Sequence, residues 1–387
     1  MPRKDCVFIV LMSLAAEGTP RLALELSREW IDAGVQPLVV VMQRTPDDLA
    51  SDFAALGLTC IMLDLPDRGY ARYLALAYRI LAIAREHRPI AILSMPLGWH
   101  ALIALGARMA GVKRIIAHVG NYPNTGARNA FRKFKLLVQL GRPFTDCLVC
   151  CSHYVRSGTV RHFGVRASET AVIYNGFPVA FGDGTRNTHQ QSDGAPFIIG
   201  MVARLEGHKD QPTLIRAARI LRMRGRNVGI WLIGDGSRRE EFESLIAAED
   251  VDDTVQLLGM RKDIPDLVAK MHVFAFSTTK DEGLGIALIE AMAIGVPVVA
   301  SNVGACREVL EDGRLGTLVP PGDALAMANA IDAIIADATF AEARAHLTQT
   351  KVVQTFSMVE MARGYSELLG LPLPAKPEYA PIPDRAA

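Results

Sequence analysis

The sequence predicts an α/β protein built from two Rossmann-like, doubly wound parallel-sheet domains. Three observations carry that prediction. The chain has 387 residues, half of them apolar; short β-rich runs alternate with helical patterns almost throughout; and one polar stretch divides the alternation into two series. Such a length exceeds one ordinary core and suits two domains of roughly 150–200 residues each. Strands that alternate with amphipathic helices are the signature of parallel sheets with helical crossovers.

In the first series the β-rich runs are Cys6–Met12, Pro37–Met42, Thr59–Leu63, Ile90–Ser94, Arg114–His118, Cys147–Cys151 and Ala171–Tyr174. Helices fit between them. Thr45-Pro46, for example, supplies a cap and a first-position proline for a helix over Asp47–Leu56. Phe177–Pro196 is rich in Gly, Asp, Asn, Gln, Ser and Thr and reads as a linker. The second series is Phe197–Ala203, Val228–Gly234, Thr254–Leu258, His272–Ser277, Pro297–Ala300 and Gly316–Val319. The domains are therefore expected at 1–180 and 195–355. The tail from Leu371 holds five prolines in seventeen residues and reads as disordered. Ligands of doubly wound sheets sit beyond the carboxyl ends of the strands, so two such domains facing a central cleft are the expected frame for a site.

With 42 basic against 41 acidic residues, the net charge of +1 points to neither a nucleic-acid partner nor an acidic tail. Anion binding must come from local placement. Apolar stretches such as Val35–Met42 and Val296–Ala300 fall far short of the ~18 residues of a spanning helix. The apolar run at Cys6–Met12 leads into charged helix and not a cleavage site, so it reads as a buried strand of a cytoplasmic protein. Of six cysteines, Cys147, Cys150 and Cys151 cluster without a second pair at zinc spacing. They read as small core residues, with no metal site and no cofactor expected.

The strongest chemical signal runs from Glu282 through Gly283, Leu284, Gly285 and Ile286 to Glu290, and on to Gly295 and Pro297. The glycines open a helix after a strand that ends at Ser277; Gly295 closes it and Pro297 prevents its continuation. A glycine-rich helix N-terminus exposes backbone N–H groups and a positive dipole end, which suits a diphosphate. Acidic residues beside such an anion site are unfavourable unless they accept hydrogen bonds, and sugar hydroxyls are the natural donors.

On these residues the chain resembles the family-four group of retaining glycosyltransferases of the GT-B fold, whose E-x7-E motif matches Glu282–Glu290. Gly200–Asp210 is similar to the family's Arg/Lys loop, Gly234-Asp235-Gly236 to its strand-ending turn, Leu258–Ile264 to the segment passing the nucleobase, and Tyr174-Asn175-Gly176 to the end of its N-terminal domain. The resemblance implies a metal-independent, retaining transfer of a hexosyl unit. The donor would be a nucleotide diphosphate sugar, a UDP-sugar first and a GDP-sugar next. The acceptor would be a glycan or a lipid-linked glycan.

By the same resemblance Arg204 and Lys209 hold the diphosphate, Glu282 meets the transferred sugar, Glu290 the ribose, and the Gly283–Ile286 backbone lies near sugar and phosphate. Arg261 lies on the nucleobase segment. His118 contacts the sugar at a strand end, beside Asn121. A helix near the C-terminus, at about 356–370 with Met358–Leu369 as its core, crosses back to the first domain. The chain departs from the family where Glu17-Gly18-Thr19-Pro20 replaces a glycine pair. Gly18 still admits close backbone approach, Thr19 is the expected cap and Pro20 the first helical residue. Phe177 stands where an aspartate is usual, and Ala305 where a second glycine is.

Residues 121–145 carry Arg128, Arg132, Lys133, Lys135 and Arg142 with interleaved Phe and Leu and no acidic residue. This pattern suits contact with the anionic inner face of a membrane, or a core helix with a solvated basic side. Two other functions remain open: a GT-B sugar-nucleotide epimerase, and a non-catalytic nucleotide-sugar-binding protein.

Overall fold

A computed structural model describes residues 6–65, 69, 71–126, 128–178, 194–207 and 209–376. It divides into two compact units, one of Met1–Gly176 with Ser357–Glu378, the other containing Phe177–Phe356. Most of the linker read at 177–196 and the end of the proline-rich tail lie outside the described residues.

The first unit runs β1 (Cys6–Leu11), α1 (Gly18–Asp32), β2 (Gln36–Val41), α2 (Ala50–Ala55), β3 (Thr59–Met62), α3 (Ala71–His87), β4 (Ala91–Ser94), α4 (His100–Met109), β5 (Arg114–Val119), α5 (Arg128–Gly141), β6 (Cys147–Cys150), α6 (His153–Gly158) and β7 (Thr170–Val172). Its seven strands are all parallel, in the order β3-β2-β1-β4-β5-β6-β7. The second unit runs β8 (Phe197–Val202), α7 (Gln211–Met223), β9 (Val228–Ile233), α8 (Arg239–Ala248), β10 (Val255–Gly259), α9 (Ile264–Ala269), β11 (Val273–Phe276), α10 (Ile286–Ile294), β12 (Val298–Ser301), α11 (Gly304–Val309), β13 (Thr317–Val319), α12 (Ala324–Ala336) and α13 (Ala338–Phe356). Its order is β10-β9-β8-β11-β12-β13, again parallel. The last helix, α14 (Met358–Leu369), belongs to the first unit.

Both faces of each sheet are covered, which is why the strands read as continuous apolar runs and not as alternating ones. In β1, Val7, Ile9 and Leu11 face a core shared with α1 and α14, whereas Cys6, Phe8 and Val10 face a core shared with α3 and α4. Helix α14 is pinned to its unit by polar contacts as well: Trp30 Nε1 donates to Ser366 Oγ at 3.1 Å and Arg114 Nη1 donates to the Leu368 carbonyl at 2.8 Å. Ser357 caps it by accepting from the Glu360 amide.

Two expected helix starts are displaced. Helix α1 begins at Gly18 with extended Glu17 at the N-cap, two residues ahead of the expected cap Thr19. Helix α2 begins at Ala50 and not beside Pro46, because the intervening backbone is engaged by Leu14: its amide donates to the Pro46 carbonyl and its carbonyl accepts from Leu49. Helix α5 occupies the middle of the basic segment and exposes Leu136 and Leu140 with Arg128, Arg132 and Lys133. Arg142, past its end, is not part of that surface. It donates to both oxygens of Glu169 at 2.9 and 2.8 Å. Burial pushes the Glu169 carboxyl up, but the Arg166 amide and the two guanidinium groups outweigh it and hold the group at about 2.

Gly176 shows how closely α14 lies against the chain that leaves the first sheet. A Cβ there would stand 2.6 Å from Met358 Cα, a backbone atom that cannot swing away. Gly176→Ala is therefore expected to destabilise by about 1–3 kcal/mol, an overpacking cost. It would lower the urea midpoint of the first unit's transition; an unchanged midpoint would contradict the packing described.

Candidate functional site

In the second unit the chemistry gathers at the carboxyl ends of the strands. The loop after β8 is held by backbone: Leu205 donates to the Asp235 carbonyl at 3.0 Å, and the Gln211 amide donates to the Arg204 carbonyl at 2.8 Å. The Gly234-Asp235-Gly236 turn is small because it lies on this loop. A Cβ on Gly234 would meet the Ala203 carbonyl oxygen at 2.2 Å, and one on Gly236 the Leu205 carbonyl oxygen at 2.5 Å. Gly234 also donates to the Gly259 carbonyl at 2.9 Å, which brings the segment containing Arg261 beside the turn. Arg261 is exposed and pairs with Asp263 through two hydrogen bonds of 2.8 and 2.6 Å.

The same loop reaches the end of β11. Lys209 forms an isolated backbone bridge with Thr278, and the Asp210 amide donates to the Ser277 carbonyl at 3.2 Å. This places the Lys209 ammonium, only 15% exposed, against the Glu282 carboxylate, only 11% exposed, in a direct ion pair. The ammonium also lies 5.0 Å above the Phe276 ring. Glu282 accepts further from Thr278 Oγ1 at 3.3 Å and from the Gly283 amide at 3.2 Å. Neighbouring Cys306 is buried, and burial first and the Glu282 charge second push its thiol well above the ordinary value.

Gly283, Leu284 and Gly285 are buried and lead into α10. Gly285 stands at the N-cap with φ +87°, and Gly295 closes the helix with φ +83°, both in the left-handed region that side chains resist. Because that backbone delays the helix to Ile286, Glu290 lies little more than one turn inside it. Glu290 is half-buried amid Leu288, Ile289 and Ala291, which are buried. Lys209, Glu282, Gly283 and Gly285 are thus brought together, and Arg204, at the start of the same loop, is exposed.

The first unit carries its own constellation. His118 is the fifth residue of β5, which runs one residue further than expected, and is 3% exposed. Its Nδ1 lies 2.9 Å from the Tyr365 hydroxyl, and burial pulls its pKa down to about 4, so the ring is neutral at physiological pH. A cavity of about 470 Å³ opens here, lined by Thr19, Met95, Gly98, His118, Gly120 and Asn121 among others. It lies at the ends of β4 and β5, beside the start of α1. Gly18 opens α1 just behind Thr19, and a Cβ on it would meet nothing within 4 Å.

Reading the residues alone misses Thr278, which holds Glu282, and Tyr365, which holds His118. Neither sits in a motif; only the amphipathic pattern of Met358–Leu369 marks the helix that carries Tyr365. Among the described residues no group of three His, Cys, Asp or Glu side chains is placed to hold a metal ion, and no single helix is long and apolar enough to cross a membrane.

Two family models match the chain: residues 16–181 match Glycosyltransferase Family 4, and residues 185–351 match Glycosyl transferases group 1. The lipopolysaccharide core biosynthesis glycosyltransferase LpsE of Rhizobium meliloti is 31% identical over 58% of this chain and 64% of its own. The amylovoran biosynthesis glycosyltransferase AmsK of Erwinia amylovora is 28% identical over 64% of this chain and 57% of its own. The matches therefore span less than two thirds of these relatives. Among solved structures, Anabaena HepE in complex with UDP and glucose is similar in fold, with a TM-score of 0.81, 23% identity, and coverage of 95% of this chain and 99% of that one.

The Lys209–Glu282 pair should behave as a buried pair and not a surface one. Replacing Lys209 with Met leaves a shielded carboxylate without its cation, which is expected to cost several kcal/mol; Glu282→Gln in the same chain should recover much of it. A double-mutant cycle read by urea unfolding is expected to return a coupling above about 1 kcal/mol, the ceiling for exposed pairs. Additive single costs would contradict the contact.

Proposed function

We propose that this chain, which belongs to the group 1 glycosyltransferase family, moves a hexosyl unit from a nucleotide diphosphate sugar to a glycan or lipid-linked acceptor. One observation carries the reading: Lys209 is tied through Glu282 to the glycine-led start of α10. The first turn of a helix has N–H groups without intrahelical partners and a positive dipole end. A cation fixed beside it completes a seat for two phosphates.

Breaking the sugar–phosphate bond leaves a nucleotide diphosphate with added negative charge. Lys209 and Arg204 stabilise that charge, supplying what a metal ion would otherwise supply. Glu282 and Glu290 accept hydrogen bonds from sugar and ribose hydroxyls, and His118 bonds the donor sugar. The acceptor hydroxyl approaches on the leaving-group side, its proton passes to the departing phosphate oxygen, and the anomeric configuration is retained. The UDP and glucose bound to HepE favour a UDP-sugar, with a GDP-sugar next. The names of LpsE and AmsK favour a role in polysaccharide or glycoconjugate synthesis.

Helix α5 suits that setting. Its exposed side offers Leu136 and Leu140, 58% and 57% exposed, together with Arg128, Arg132 and Lys133 and no acidic residue. We place the contact with an anionic membrane surface there.

A thermal-shift screen against UDP, GDP, ADP and their sugars identifies the donor, since a ligand at a hundred times its dissociation constant adds about 2.7 kcal/mol. With that donor, Arg204→Ala is expected to lower turnover by roughly 10²–10³. EDTA should leave the rate unchanged, and the product anomer read by NMR should match the donor. An undiminished rate in Arg204→Ala, or an inverted product, would overturn the scheme. Vesicles with anionic lipid should sediment the protein at low salt, less so after Arg132→Glu with Lys133→Glu; equal sedimentation with neutral vesicles would dismiss the membrane contact.

A further inference from the structure

We propose that Tyr365 is a positioning residue that fixes the tautomer of His118, so that Nε2–H is the hydrogen-bond donor offered to the cavity of the first unit. The inference rests on the reading above, in which His118 bonds a sugar hydroxyl, and adds what that reading leaves open: which ring nitrogen does so, and what decides it.

Tyr365 is fully buried on α14, and its hydroxyl has one hydrogen-bond partner among the described residues, His118 Nδ1 at 2.9 Å. A buried O–H must find an acceptor, because leaving it unmade costs about 1–3 kcal/mol. A neutral imidazole has one donor and one acceptor nitrogen. If Nδ1 carried the proton, two donors would face each other and the hydroxyl would be stranded. Nδ1 therefore accepts, and the ring proton sits on Nε2.

The surroundings agree from three sides. Burial alone is the cause that holds the imidazole at about 4, so no neighbouring carboxylate competes to protonate it. Burial likewise pushes the Tyr365 hydroxyl well above its ordinary value, with the thiols of Cys151, Cys150 and Cys147 adding to it, so it stays a donor. On the other side of the ring, Nε2 faces Gly120, where a Cβ would intrude to 2.9 Å. The Gly120 carbonyl, a rival acceptor, is engaged by the Cys151 thiol at 3.3 Å. Both His118 and Gly120 line the cavity.

Tyr365 is itself held in register. Its neighbour Ser366 accepts from the Trp30 indole, and Leu368 accepts from Arg114, so α14 cannot slide without breaking both. A helix drawn from the far end of the chain thus sets the proton on a strand residue 247 positions earlier.

The test is long-range ¹H–¹⁵N correlation NMR on full-length protein with ¹⁵N-histidine, the His118 signals being identified by their loss in His118→Gln. At pH 7 the wild type is expected to show a single neutral tautomer protonated at Nε2. Tyr365→Phe removes only the hydroxyl; the variant is expected to remain folded and to show a mixture of both tautomers. Turnover with the donor found in the thermal-shift screen should fall about 10-fold, the worth of one lost hydrogen bond, with KM for the donor little changed. Tyr365→His, which returns a buried donor of different reach, should recover part of the single-tautomer signal. A wild type protonated at Nδ1 would overturn the proposal. So would a Tyr365→Phe variant that keeps the Nε2–H form, whatever its activity, because a rate loss without a tautomer change marks a packing role. The spectra need no substrate, so an enzyme inert toward every sugar nucleotide would refute the transferase reading and leave the tautomer assignment standing.

Discussion

In each sheet there is one place where neighbouring strands send their crossovers to opposite faces, and that constraint decides where this chain can do chemistry. In the first unit it falls between β1 and β4: α1 packs with Val7 and Ile9 on one face, α4 with Phe8 and Val10 on the other. In the second it falls between β8 and β11. Loops that diverge there cannot cover each other, so a gap forms at the carboxyl edge without any side chain being spent on making it. The cavity lined by Thr19, Met95 and His118 occupies the first gap, and the Lys209–Glu282 pair spans the second.

The two units fill their gaps by opposite electrostatic means. The second uses full charges and must keep them matched. Lys209 and Glu282 are both shielded from water, so each is tolerable only because the other is present and because Thr278 and the Gly283 amide satisfy the remaining lone pairs. The first uses neutral groups. His118 and Tyr365 are buried more deeply, and neither ionises near neutrality, so what matters there is the direction of one hydrogen bond and not a balance of charge.

What the sequence discloses follows the range over which each signal acts. All thirteen strands are legible to within about two residues, because strands buried on both faces are short apolar runs bounded by polar ones. The two doubly wound sheets follow from that alternation. Helix starts are less legible: α1 and α2 begin where backbone hydrogen bonds permit, and the bond from Leu14 to Pro46 that delays α2 has no local mark. The Gly285 and Gly295 helix ends are legible since glycine at a left-handed position is a local demand. Contacts are another matter. Lys209 and Glu282 are separated by 73 positions, and His118 and Tyr365 by 247, so no spacing rule links them; the β8–β11 neighbourhood joins the first pair and the packing of α14 the second. Arg142 illustrates the converse. Its place in a basic stretch reads as surface charge, yet Glu169, 27 positions on, takes it out of that surface.

The departure at Glu17 can be weighed by the same physical standard. A glycine is demanded where φ is positive or where a Cβ would strike backbone, as at Gly234, Gly236 and Gly176. Glu17 meets neither condition: its φ of −109° and ψ of 170° are ordinary extended values, and any residue can hold them at an N-cap. Gly18 meets neither as well, since a Cβ would touch nothing within 4 Å. Folding of the first unit is therefore indifferent to which of these two positions is glycine. What the pair adjoins is Thr19, which lines the cavity, and glutamate adds a negative charge at a positive helix end there. The substitution is therefore neutral for the fold, and its consequence is electrostatic: a carboxylate at the start of the helix whose Thr19 lines the same cavity as the neutral His118.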